Sequence, residues 1–189
     1  MNLKKKTFEI PFIGYDYGKV NNWNFDSLIG QFGNPIIGIQ IKNNVEQYSA
    51  DPDAYLQFHT ILNQVVAIIG ENHIVQKIDI FSKKEYVAEK SNEFLQEKYS
   101  EHFDGRLFKT IDTILLFTDI VDQNSKKNTY KYSAKSYKAL RDKCLKIFML
   151  LSQNNCDPQF LKEKDLEYYI NGVLTMNLSK IPSFNNIKA

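Results

Sequence analysis

Residues 107–121, LFKTIDTILLFTDIV, carry large apolar side chains at odd-numbered and even-numbered positions alike. The odd-numbered set is Ile111, Leu115, Phe117 and Val121, and the even-numbered set is Ile114, Leu116 and Ile120. Successive side chains of a strand point to opposite faces of the sheet. The pattern therefore predicts a strand that is covered on both faces, and we expect it to be the central strand of a sheet.

A hairpin and a helix are predicted before this strand. Residues 26–42 place a Gly-Asn-Pro turn between two short runs, and isoleucines alternate with other residues in the second run. Asp51 is suited to cap a helix, and Pro52 to occupy its first position. Apolar residues then recur at helical spacing until Gly70, so we predict an amphipathic helix that ends there.

The next segments alternate between strand and helix patterns. Residues 73–81 predict a strand with isoleucines on one face and Lys77 and Asp79 on the other. Residues 83–103 are rich in helix-forming charged residues and predict a helix on the outside of the fold. Its narrow apolar stripe comprises Val87, Phe94, Leu95 and Tyr99.

The C-terminal third predicts two further helices and a short strand. Ser133 is suited to cap a helix with one apolar stripe that includes Tyr137 and Cys144 and breaks at Asn154. A strand at 159–161 and a helix at 165–174 follow.

The order strand, helix, strand, then strand, helix, strand predicts an α+β fold of the ferredoxin-like, split βαβ type, an antiparallel sheet with helices on one face. We expect a single accessory domain over 1–189. It would comprise an N-terminal β-hairpin at about 8–43, a core at about 36–175 with the inserted helix, and a loose tail at about 176–189.

Composition narrows the possible functions only slightly. The 189 residues are 43% hydrophobic and 24% charged, which is typical of a globular protein. The net charge of +2 is too small to indicate nucleic acid or membrane by itself. No run approaches the roughly 20 apolar residues that span a bilayer, so we expect a cytoplasmic protein.

The metal-binding and thiol residue types lack the spacing of a site. Cys144 and Cys156 form neither a CxxC motif nor a disulfide framework, and His59 and His73 have no partner at metal-ligand spacing. We therefore predict no metal and no cofactor. The segment GYDYGKV at 14–20 also lacks the spacing and hydroxyl residue of a phosphate-binding loop, and we interpret it as an ordinary turn.

One small group carries the residue types of acid–base chemistry. His102, Asp104 and Arg106 could supply a base, an orienting carboxylate and an anion clamp. The alternative is structural: the helix ends at Phe103 and the chain turns at Gly105 into the central strand. We favour the structural turn, formed by His102, Gly105 and Arg106, and predict no catalytic residue.

The largest local charge imbalance lies in residues 126–146, which carry eight Lys or Arg and a single Asp. We call the following the basic flank, a candidate partner-contact surface: Lys126, Lys127, Lys131, Lys135, Lys138 and Arg141. Tyr130, Tyr132 and Tyr137 lie among these cations and would suit stacking on single-stranded nucleic acid or docking to anionic lipid. A solvated helix face and a protein-docking surface remain the alternatives.

Several stretches together resemble the N-terminal region of the TraG-type conjugative-transposon ATPases, relatives of the motor ATPases of type IV secretion. They are IPFIGYDYG, IIGIQIKN, DPDAYLQFHTILNQVVAIIGENHIVQKIDIF, HFDGR before the apolar strand, and the closing YYINGVLTMNLS and NNIKA. The resemblance implies an accessory α+β domain that precedes a RecA-like motor and docks it to the secretion channel at the cytoplasmic side of the inner membrane. The nucleotide site of that family belongs to the motor, and these 189 residues hold neither a Walker A nor a Walker B motif.

We therefore expect a non-catalytic assembly domain whose partners are type IV secretion proteins or further copies of itself, as a homo-oligomer. Two alternatives stay open at this point. One is a binding module that contacts nucleic acid or anionic lipid through the basic flank. The other is a small enzyme that uses His102, Asp104 and Arg106 on an anionic substrate.

Overall fold

A computed structural model describes residues 12–20, 23–30, 32–42, 51–88, 90, 92–120 and 134–175. They form an α+β fold with one six-stranded antiparallel sheet and four helices. In chain order these are β1 (Phe12–Val20), β2 (Trp23–Gly30), β3 (Pro35–Lys42), α1 (Pro52–Ile69), β4 (His73–Glu85), α2 (Phe94–Phe103), β5 (Leu107–Asp119), α3 (Ala134–Gln153), β6 (Gln159–Phe160) and α4 (Glu163–Thr175).

The strands lie in the order β1-β2-β3-β5-β4, and β6 pairs with the middle of β3. The apolar strand predicted to be central is β5, which is an interior strand between β3 and β4 but lies next to the edge strand β4 instead of in the middle of the order. Its register with β4 runs unbroken from His73 opposite Asp119 to Glu85 opposite Leu107. The predicted hairpin at 26–42 is confirmed as β2 and β3, whose ladder includes Leu28 opposite Ile36.

One face of the sheet is covered by α1 and α3. Isoleucines of β3 and the side chains of Leu115 and Phe117 form the main core against these helices. The predicted start and end of α1 are confirmed: the Asp51 carboxylate accepts a hydrogen bond from the Asp53 N–H at 2.9 Å, and Gly70 ends the helix with φ of 71°. Ser133, the residue predicted to cap α3, lies outside the described residues.

The other face is partly covered by α4, so the prediction of helices on one face holds only for α1 and α3. Leu166 of α4 packs in a second core cluster with Leu28 and Ile114. Asp26 of β2 explains this position, because its carboxylate accepts a hydrogen bond from the Glu163 N–H at 3.0 Å and so holds the first turn of α4 beside the sheet.

Two sequence interpretations were wrong. The segment GYDYGKV is not a turn but part of β1, because it pairs with β2 from Gly14 to Val20. The predicted helix at 83–103 begins only at Phe94, because the residues up to Glu85 continue β4 in its ladder with β5. In both cases pairing with a neighbouring strand overrides local preference.

Candidate interaction surface

The connection between β4 and β5 places apolar side chains in solvent instead of in the core. We define the distal apolar surface as five residues between positions 87 and 107, whose exposed fractions are 67% to 81%: Val87, Phe94, Leu95, Tyr99 and Leu107. Four of these are the apolar stripe that the sequence indicated for an outer helix. Within α2 the side chain that is buried is that of Ser100, so the helix does lie on the outside of the fold.

A small set of contacts holds α2 beside the sheet. The Tyr86 hydroxyl lies 3.2 Å from Ser100 Oγ, and its ring meets those of Phe103 and Phe108 edge-on at centroid distances of 6.4 and 6.3 Å. Because these contacts fix the backbone without burying the distal apolar surface, a partner could cover that surface with little cost in ordering the chain.

The chain returns from α2 to β5 through a tight turn. Gly105 has φ of 74°, a conformation that suits glycine, and its N–H donates to the Tyr86 carbonyl at 2.9 Å. The Arg106 N–H donates to the Phe103 carbonyl at 3.0 Å. The turn thereby aligns the start of β5 with the end of β4.

The structure brings together two of the three residues considered for acid–base chemistry. His102 Nε2 lies 3.1 Å from Arg106 Nη2, whereas the Asp104 carboxylate accepts a hydrogen bond from the Ala88 N–H at 2.9 Å. A general base of the triad type needs a carboxylate hydrogen-bonded to its imidazole. Here the Arg106 guanidinium lies against the His102 imidazole, and the Asp104 carboxylate is bonded to the loop at Ala88 instead. All three side chains are exposed, so the geometry favours the turn role.

The basic flank lies partly outside the described residues, which exclude Lys126, Lys127 and Lys131. Lys135 and Lys138 are exposed on α3, and the Arg141 guanidinium lies 4.2 Å from the centroid of the Tyr137 ring. Tyr137 is only 4% exposed, and its hydroxyl is hydrogen-bonded to Ser27. It therefore has no ring face available for stacking on a base.

A half-buried polar cluster was not anticipated from the sequence. Lys143 of α3 donates to the Ile69 carbonyl at 2.7 Å and lies 3.4 Å from His73 Nε2, and that nitrogen is 3.3 Å from Asp119 Oδ1. The cation at the last carbonyls of α1 suits the negative end of the helix dipole. The cluster connects α1, β4, β5 and α3. It could not be predicted from the sequence, because His73 and Asp119 are far apart in the chain and only the strand register places them opposite each other.

Both cysteines are buried free thiols. Burial raises the pKa of Cys144 and of Cys156, so each is a protonated thiol at neutral pH instead of a reactive thiolate. In the described part of the chain, no three His, Cys, Asp or Glu side chains are grouped as they would be to hold a metal ion. None of the described helices is long and apolar enough to cross a membrane.

Comparison of the chain with protein-family models, curated proteins and solved structures found no match.

Proposed function

We propose that this chain is a non-catalytic assembly domain that docks to another protein through the distal apolar surface. The proposal rests on the position of that surface. Its apolar side chains are 67–81% exposed, and the Tyr86–Ser100 contact holds the helix α2, which carries three of them, beside the sheet. Grouped exposed apolar side chains mark interaction sites, because burying them removes apolar area from water.

The proposed partners are proteins of a conjugative type IV secretion system. Support comes from the sequence resemblance to the front region of TraG-type ATPases, which also leads us to propose a cytoplasmic location, peripheral at the inner membrane. The arrangement of the last four strands supports a ferredoxin-like core, since β6, β3, β5 and β4 lie side by side and α1 and α3 connect them on one face.

Site-directed photo-crosslinking in cells that carry the conjugative element tests the docking surface. A photoreactive amino acid at Leu95 should give one discrete adduct with a secretion protein, identified by mass spectrometry. The matched control is the same amino acid at Gln57, an exposed position on α1. No adduct at Leu95, or the same products from both positions, would contradict the docking proposal.

Nucleotide binding tests the non-catalytic part separately. Titration of the purified chain with Mg²⁺-ATP should give no stoichiometric binding heat and no phosphate release. Either signal from this chain alone would overturn that part while leaving the docking experiment valid.

A further inference from the structure

The strand β4 ends the sheet and offers a long open edge. Over all thirteen of its residues, β4 pairs with β5 on one side, and no other described strand pairs with it. Natural proteins protect such edges or use them for pairing with another chain.

The backbone hydrogen bonds show which residues of β4 face that edge. At one end the Tyr86 N–H donates to the Arg106 carbonyl, and at the other the Ile120 N–H donates to the Asn72 carbonyl, both at 2.9 Å. Both pairs continue the β4–β5 register. Because hydrogen-bonded and non-hydrogen-bonded pairs alternate in an antiparallel ladder, the even-numbered residues of β4 bond to β5. The odd-numbered residues therefore turn their N–H and C=O groups to the open edge.

The charges on these odd-numbered residues are antisymmetric about Phe81. Lys77 and Asp79, which are ion-paired with each other in the single chain, precede it by four and two residues, whereas Glu85 and Lys83 follow it by four and two. If a second β4 is laid antiparallel with Phe81 opposite Phe81, Lys77 faces Glu85 of the second copy and Asp79 faces Lys83. Opposite charges at directly facing positions stabilise a strand pair.

The neighbouring registers that keep the same faces lack this complementarity. A pair centred on Asp79 puts two carboxylates opposite each other, and a pair centred on Lys83 does the same with two ammonium groups, which is destabilising. The register centred on Phe81 also covers an apolar ring that is 72% exposed in the single chain.

We propose that two copies of this chain associate through antiparallel pairing of β4 with β4 around a two-fold axis at Phe81. The two six-stranded sheets become one continuous sheet. This interface uses the open edge of β4, a strand that contains none of the five residues of the distal apolar surface.

Cysteine cross-linking of the full chain tests the register. Facing residues of a hydrogen-bonded antiparallel pair have Cα atoms about 5.5 Å apart, within disulfide range. Phe81→Cys should therefore oxidise to a covalent dimer. The matched control is Lys83→Cys, whose two copies would be offset by four residues, roughly 13 Å along the strands. The native thiols are buried, so the parent chain serves as the background.

A charge exchange provides a second measurement. In sedimentation equilibrium, Glu85→Lys should weaken the dimer at least severalfold, and the double variant Lys77→Glu/Glu85→Lys should restore it. Glu167→Lys makes the same charge change at an exposed position of α4 and should leave association unchanged. Circular dichroism of each variant checks that it is folded. The proposal is overturned if Phe81→Cys and Lys83→Cys cross-link equally, if neither does, or if the double variant is no better than the single one.

Discussion

The two halves of the β4–β5 ladder share one continuous register but have opposite environments. Near its end, β5 is buried on both faces, with Leu115 and Phe117 against α1 and α3 and Ile114 on the second cluster. Near its start, Leu107 and Phe108 are exposed. Hydrogen bonding is the same in both halves, so the difference lies in what covers the side chains.

We infer from this difference that one half of the ladder stabilises the fold and the other half is available for binding. The half near the end of β5, together with β3, α1 and α3 that pack against it, is the covered half; it contributes most of the buried apolar area and should therefore set the free energy of unfolding. The half near the start of β5, together with α2, is the projecting half; it adds little to that free energy, and its exposed apolar side chains are available for partners. Substitutions of the same type in the two halves can test this division.

The largest expected contrast is between two phenylalanines. Phe117→Ala should lower the free energy of unfolding by about 3–5 kcal/mol, because it removes a fully buried ring and leaves a cavity. Phe94→Ala, at a position 70% exposed, should change it by less than about 0.5 kcal/mol. Urea unfolding of both variants measures the contrast, and equal losses would refute the division.

A glycine pair compares a tightly packed position in β3 with an open position in β1. A Cβ at Gly38 would lie 2.5 Å from Leu161 Cδ1, so Gly38→Ala should cost about 1–3 kcal/mol by overpacking. At Gly14 no atom lies within 4 Å of the added Cβ, so Gly14→Ala should be neutral or slightly stabilising. Thermal unfolding compares them; a harmless Gly38→Ala would mean that Leu161 can move aside.

Much of the covered half could be predicted because its patterns are local. Alternation identified β3, apolar residues at both odd-numbered and even-numbered positions identified β5, and the Asp51-Pro52 start and Gly70 stop identified α1. The α2 segment was harder to predict because its charged residues favour a helix from Lys83, and only the ladder with β5 shows that β4 continues to Glu85.

The candidate surfaces depended on information that a sequence pattern lacks. The stripe of Val87, Phe94, Leu95 and Tyr99 was visible, but a stripe alone does not show whether it packs inward or faces solvent. Tyr137 was assigned both to the apolar stripe of α3 and to stacking beside the basic flank, and its burial in the core confirms the stripe and contradicts the stacking. The open edge of β4 follows from strand order, which depends on contacts between distant residues.

A smaller effect is expected from a buried hydroxyl. Tyr137→Phe removes the hydrogen bond to Ser27 and leaves the serine hydroxyl with the Asp16 carbonyl at 3.2 Å. The loss should be about 1 kcal/mol. Tyr99→Phe removes a hydroxyl in the projecting half and should have no measurable effect on unfolding, within about 0.5 kcal/mol. A larger loss at Tyr99 would show that α2 contributes to the core.

The smallest effect lies where the two halves meet, at Asp79. Burial raises the pKa of Asp79, but hydrogen bonds from Lys77 and Thr113 lower it by more, so the net pKa is below its ordinary value of 3.8. A carboxylate with a depressed folded-state pKa stabilises the protein above its unfolded pKa, and that contribution is lost as the pH falls through the folded value. Asp79→Asn should therefore cost less than about 1 kcal/mol at pH 7, and the difference from the parent chain should shrink below about pH 4.

The pH series must be made on dilute protein, because association through β4 would add its own contribution to stability. Asp142→Asn, at an exposed position on α3, is the matched control and should change stability by less than about 0.5 kcal/mol. A difference at Asp79 that grows on acidification would reverse the sign of the argument. It would mean that the cost of burying this carboxylate outweighs the stabilisation from its hydrogen bonds.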